Sequence, residues 1–116
     1  MSDCVFCKNL PKVCENELAY ALYDISPISQ GHALIIPRRH FEQIFDATSQ
    51  EMLALYELLG QMKTLIQKKY NPNGYNIWGN CGKAAGQIVM HTHLHLIPRY
   101  SGEVLHIKDH LKGNIE

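Results

Sequence analysis

Residues 86–100 read GQIVMHTHLHLIPRY, in which His91, His93 and His95 alternate with Met90, Thr92, Leu94 and Leu96. A period of two fits a strand, whose successive side chains point to opposite faces, and does not fit a helix. The stretch therefore predicts a strand over 87–97. One of its faces carries three imidazoles, and Met90, Leu94 and Leu96 line the other, against a core. A strand face turned to water needs only charged or hydroxyl groups. Three adjacent titratable rings call for a chemical role.

The rest of the chain supplies the partners of that strand. LAYALY at 18–23 and HALIIP at 32–37, the latter bounded by Gly31 and Pro37, read as strands, and a short helical segment is expected over 41–46. Thr48 with Glu51 three positions on is a capping-box pattern that opens a helix running to about Lys69. Met52, Leu55, Tyr56, Leu59, Met62 and Ile66 recur at helical spacing as its apolar face. Lys63, Lys68 and Lys69 sit toward the C-terminal end, where positive charge suits the helix dipole. The turn Asn71-Pro72-Asn73-Gly74 ends it, a strand follows over 75–79, and the loop 80–86 leads to the histidines. The order β-β-α-β-β predicts an α+β fold, an antiparallel sheet with a helix on one face and the histidines in a cleft on the other. No repeat or linker divides residues 1–116, which read as a single domain.

Eleven basic and eleven acidic side chains cancel, so no electrostatic footprint for nucleic acid or a membrane surface is expected. No apolar run approaches the ~20 residues of a membrane span. The N-terminus, MSDCVFC, lacks a signal peptide's basic and apolar regions, and a cytoplasmic protein with reduced thiols is expected. In that setting Cys4-Val-Phe-Cys7 reads as a redox or metal pair sooner than a disulfide, and Cys14 and Cys81 as small apolar residues. A redox dithiol belongs to a strand entering a helix in a βαβ unit, which is absent here. A two-thiolate zinc clip needs two further ligands from elsewhere.

For the histidines three readings stand. Lone histidines are commonly structural, and His106 and His110 are expected on the surface. Imidazoles two apart on a strand can share a catalytic zinc that carries a water. Alternatively one imidazole is a nucleophile toward phosphorus, with one ring nitrogen protonated and tied to a backbone carbonyl so that the other presents its lone pair. The loop GNCGKAAGQ would then offer backbone N–H groups to phosphate oxygens.

GQIVMHTHLHLIPR closely resembles the signature of the histidine triad (HIT) family of nucleotide hydrolases and transferases. The resemblance extends to Cys4-x-x-Cys7, to LYDISPISQGHALIIPRRH at 22–40 and to the Asn80…Gln87…His91 spacing, covering most of residues 4–100. It implies the HIT fold, a five-stranded antiparallel sheet with one long and one short helix. It also implies His93 as nucleophile toward the α-phosphorus of a nucleoside phosphoramidate or dinucleoside polyphosphate. His95 would contact the phosphoryl oxygens or the departing group, and His32 would line the same pocket. Asn80 and Gln87 would hydrogen-bond phosphate, Asp24 the ribose hydroxyls, and Ile25 and Leu34 would flank a purine base. Cys4, Cys7, His40 and His91 match positions that hold a structural zinc (Zn2+) in similar proteins, and a homodimer is implied. Thr92 departs from a strictly hydrophobic alternation and is expected to point away from the cleft without consequence. Ile88 stands where several similar proteins carry serine. The chain runs only a short way past the signature, so no selectivity element on a longer tail is expected. Two alternatives remain at this stage, a weakly active nucleotide-binding regulatory module and a three-histidine metallohydrolase.

Overall fold

The computed structural model describes residues 4–102, and the reading of His106 and His110 falls outside them. Strands β1 (Cys14–Glu15), β2 (Ala19–Tyr23) and β3 (Ala33–Pro37) precede helix α1 (Ser49–Tyr70), and β4 (Gly74–Trp78) and β5 (Leu94–Arg99) follow it. All pair antiparallel in one five-stranded sheet of order β1-β2-β3-β5-β4, so β5 is inserted between β3 and β4. The expected short helix is a single 3-10 turn, Ile44–Asp46, and similar turns occupy Val5–Cys7 and Lys83–Ala85.

Alternation along the strands divides the core. Ala19, Ala21, Ala33, Ile35 and Leu96 face Ala54, Leu55, Leu58, Met62 and Ile66 of α1. Small residues on β2 let the helix approach closely, and each large aliphatic group buried there contributes about 1.5–3 kcal/mol. Tyr20, Leu22, Leu34 and Ile36 face the other way and are covered by Phe6, with Leu10 and Val89 at the margin. The sheet is thus covered on both sides in its middle, by a helix on one and an irregular N-terminal segment on the other.

Helix α1 begins as its sequence requires. Thr48 Oγ1 accepts from Glu51 N–H and the Glu51 carboxylate accepts from Thr48 N–H, a complete capping box. Glu51 also takes Arg39 Nε and an Arg39 terminal nitrogen, each at 2.9 Å, which holds its carboxyl below the usual range. At the other end Asn71 closes the helix in the left-handed conformation, φ 52°. Gly31 has φ 90°, and a Cβ there would meet the Tyr70 ring at 3.0 Å. The turn before β3 therefore requires glycine on both counts.

Two expectations are corrected. The buried face of α1 is Ala54, Leu55, Leu58, Met62 and Ile66, while Met52 and Tyr56 are exposed. The strand expected over 87–97 forms only over Leu94–Arg99, because residues 88–93 leave the ladder to make other bonds. Met90 consequently does not face α1 but lines a hollow with Cys4, His40 and Glu42. No helix among the described residues is long and apolar enough to cross a membrane.

Candidate active site and metal-binding group

Departure from the ladder sends the three histidines to different places. His91 is fully buried and its Nε2 lies 2.8 Å from the Pro37 carbonyl. A carbonyl only accepts, so Nε2 carries the proton and Nδ1 presents a lone pair. That lone pair meets Cys4 Sγ at 3.3 Å, Cys7 Sγ at 3.6 Å and His40 Nδ1 at 3.1 Å, and Cys7 Sγ lies 3.3 Å from His40 Nδ1. A tetrahedral zinc with the usual bond lengths requires ligand–ligand edges of about 3.3–3.8 Å. Those four edges match such an ion within a few tenths of an ångström, all four donor atoms lie within 4.8 Å of one another, and the Pro37 carbonyl supplies the outer hydrogen bond that orients a ligating histidine. With all four positions taken by protein, an ion here is structural.

His93 faces the other way. Its Nδ1 lies 2.7 Å from the His91 carbonyl, which fixes the proton on Nδ1 and leaves the Nε2 lone pair free. His95, on β5 opposite Leu34 of β3, joins it on the wall of a cavity of about 740 Å³, the two rings 5.0 Å apart. Behind His95 lies His32, almost wholly buried. Ile28 N–H donates to its Nδ1 at 3.0 Å, so Nε2 holds the proton and donates to His95 Nδ1 at 3.0 Å. His95 is thereby left with a proton on Nε2. Burial, with His93 and His32 alongside, pushes its imidazole down to about 4, so the ring is neutral at ordinary pH. Asp24 Oδ2 stands 3.5 Å from His32 Nε2, and its Oδ1 accepts from Ser26 N–H.

Three histidines therefore do not share one point. The Asp24, His32 and His95 donor atoms do converge, but the facing nitrogens of His32 and His95 are used on each other. A three-histidine metal centre is not formed, because the His91 lone pair points to the thiols.

Asp24, Ile25, Leu34 and Asn80, to which the resemblance gives substrate-binding roles, line the cavity, and Ile25 and Ile88 stand 98% and 91% exposed at its rim. His32 does not line it and lies behind His95. Gln87 departs further. Its amide is buried, donating to Glu42 O at 2.6 Å and Val89 O at 3.0 Å and accepting from Gly82 N–H at 2.7 Å. A direct phosphate contact would break that set, so Gln87 braces the loop. Part of the loop's backbone is committed too: Ala85 and Gln87 N–H donate to Gly82 O, and Gly86 N–H to Lys83 O. Asn80 brings the loop's polar side chain to the cavity, with Gly86 beside it on the lining. Sequence reasoning missed the apolar wall of Val5, Phe6, Leu10, Pro11, Val13 and Leu22. Its N-terminal part has no periodicity, and only proximity to Cys4 and Cys7 hinted that it is held near His91. No Lys or Arg lines the cavity among the described residues.

A profile of the HIT domain family matches residues 8–102. Protein hit of Bacillus subtilis is 36% identical over 104 residues, covering 84% of this chain and 72% of that protein. A Schizosaccharomyces pombe protein named adenosine 5′-monophosphoramidase hnt1 is 34% identical, covering 87% of this chain and 77% of its own length. The crystal structure of a Zn-bound histidine triad family protein from Mycobacterium smegmatis superposes with a TM-score of 0.79 at 32% identity, covering 90% of this chain and 80% of that one.

Proposed function

The chain belongs to the HIT domain family, and from that membership we propose that it hydrolyses a purine nucleoside phosphoramidate or dinucleoside polyphosphate at the α-phosphorus through a covalent nucleotidyl-His93. The observation that carries this reading is the bond from His93 Nδ1–H to the His91 carbonyl, which leaves Nε2 as an unprotonated nucleophile at the cavity wall. Nε2 attacks phosphorus, the bond to the leaving group breaks, and water then hydrolyses the nucleotidyl-imidazole. His95, neutral, offers its Nε2–H as a hydrogen bond to a phosphoryl oxygen or the departing atom, and His32 holds the ring in that tautomer from behind. Asn80 donates to phosphate, Asp24 accepts from the ribose hydroxyls, and Ile25 and Leu34 flank the base. Among the described residues the lining carries no Lys or Arg, which favours the phosphoramidate with its fewer charges than a polyphosphate, and the fission yeast relative's name points the same way.

Cys4, Cys7, His40 and His91 would hold a structural Zn2+, whose chemistry is to fix the N-terminal segment and the start of the histidine run. The cytoplasm, where thiolate ligands stay reduced, is the compartment proposed. We also assign a homodimer, supported by the open edge of β4 and uncovered apolar groups beside it.

Purified protein with adenosine 5′-phosphoramidate tests the reaction. Steady release of AMP and an acid-labile, alkali-stable adduct on His93 in a rapid quench are expected. His93→Ala should bind AMP yet lose turnover by a factor of about 10³ or more. Turnover within tenfold of wild type in that variant removes His93 as nucleophile.

A further inference from the structure

The Phe41 carbonyl takes two hydrogen bonds from one residue. Thr92 N–H donates to it at 2.7 Å and Thr92 Oγ1–H at 3.0 Å, and Thr92 is only 3% exposed. That N–H belongs to the peptide unit joining His91 to Thr92. In a planar trans peptide the N–H and C=O point in opposite directions. Aiming this N–H at Phe41 therefore aims the His91 carbonyl the other way, and that carbonyl accepts His93 Nδ1–H at 2.7 Å. One peptide plane decides which nitrogen of His93 is free. The sheet does not hold it, since β5 starts at Leu94. The acceptor, by contrast, is well anchored. Phe41 is buried, its ring lies 4.3 Å from the Arg39 guanidinium, and Arg39 is gripped by Glu51 at the start of α1.

We propose that Thr92 is a positioning residue for the nucleophile. Its hydroxyl clamps the 91–92 peptide onto the Phe41 carbonyl, so that the His91 carbonyl keeps His93 in its Nδ1–H form with Nε2 aimed into the cavity. The inference rests on His93 being the nucleophile. It explains a hydroxyl residue in an alternation that otherwise calls for an apolar one. Valine at this position would keep the shape and the backbone bond, so the Phe41 carbonyl would not be orphaned. The loss would fall on orientation, and a small misplacement of a reacting group can cost on the order of 10²-fold in rate.

The test compares wild type, Thr92→Val and Thr92→Ser as zinc-loaded proteins. Adenosine 5′-phosphoramidate serves as substrate and AMP as the binding probe. Thr92→Val should keep metal stoichiometry and bind AMP within about threefold, while its single-turnover rate of adduct formation falls roughly ten- to hundredfold. Thr92→Ser, which restores the hydroxyl, should recover to within about threefold of wild type. Nitrogen NMR of the His93 ring, recorded without substrate, should show the Nδ1–H tautomer in wild type and Thr92→Ser and a mixture in Thr92→Val. Equal adduct rates and one tautomer in all three proteins overturn the proposal. So does a Thr92→Val protein that loses metal or AMP affinity in proportion to its rate, which would make the clamp merely structural. A wild-type protein that forms no adduct removes the proposed function instead, and the tautomer comparison still decides the clamp.

Discussion

His95 titrates differently in the folded and unfolded chain, and that difference is measurable as stability. Its folded pKa is depressed to about 4 by burial and by the neighbouring imidazoles, against about 6.5 when unfolded. Between those values the unfolded chain binds the extra proton, so stability rises with pH there and is lost as pH falls from about 6.5 toward 4. His95→Asn removes the titrating group and keeps an oxygen able to accept from His32 Nε2–H. Urea unfolding at pH 7 and pH 5 should show wild type losing about 1–2 kcal/mol more than the variant, a figure reduced for the ring's partial exposure. Equal losses in the two proteins would mean that His95 is not held neutral by the fold. Which residues come together at the cavity was largely legible in the sequence at this level, and how each is held there was not. Spacing placed His93 and His95 together and resemblance placed Asp24 and Asn80 near them. The amide of Gln87 and the hydroxyl of Thr92 turn on bonds to Glu42 and Phe41, some fifty residues away, which no local pattern records.

Strand and helix periods were read from the sequence wherever an element packs on one clear face. β2, β3, β4 and the start of α1 are found within a residue or so of their expected positions. The failures have a common cause. Apolar side chains crowd the first half of α1 on nearly every side, so Ala54 and Leu58 could not be told from Met52 and Tyr56 as the buried set. A period of two likewise describes extended chain in or out of a ladder, and residues 88–93 are out of it. Outside the ladder His91 joins a donor group drawn from three separate segments, Cys4 and Cys7 at the first turn, His40 after β3 and His91 before β5, and Thr92 bonds to Phe41. A metal held by that group would couple its binding to the local fold. Cys7→Ser should lower both zinc content and melting temperature, whereas His95→Ala should keep full zinc and lose turnover. Metal analysis of the two purified proteins decides it: full zinc in Cys7→Ser with none in His95→Ala would move the metal to the histidines.

The sheet has one long unpaired border on the side of the histidine strand. Among the described residues β4 bonds only to β5, which leaves its outer backbone groups open there, and an edge of that kind invites pairing with another chain. Around it the surface is apolar. On α1 the positions Met52, Tyr56, Leu59 and Lys63 follow one another along a single stripe, and Lys63 Nζ lies 5.9 Å from the Tyr75 ring on β4. That stripe therefore borders β4 on the helix side of the sheet. There Tyr56 is 71% exposed and Ile77, two residues after Tyr75 and so on the same strand face, is 58% exposed. The same arrangement explains why the sequence assigned Met52 and Tyr56 to a buried face: they are apolar and periodic, but the chain's own core leaves them uncovered. A second copy related by a two-fold axis would cover them, since such an interface brings the same patch of each copy together. The cavity's described lining, which includes Leu22 and Leu34, lies on the opposite side of the sheet from this stripe. Assembly and nucleotide binding should then be separable. Sedimentation at micromolar concentration should give twice the mass of the chain for wild type and a single chain for Tyr56→Lys, with AMP affinity in the variant within about threefold, since an exposed side chain remote from the cavity is being changed. A wild-type protein that sediments as a single chain at that concentration would leave the stripe without a partner of its own kind and remove the homodimer.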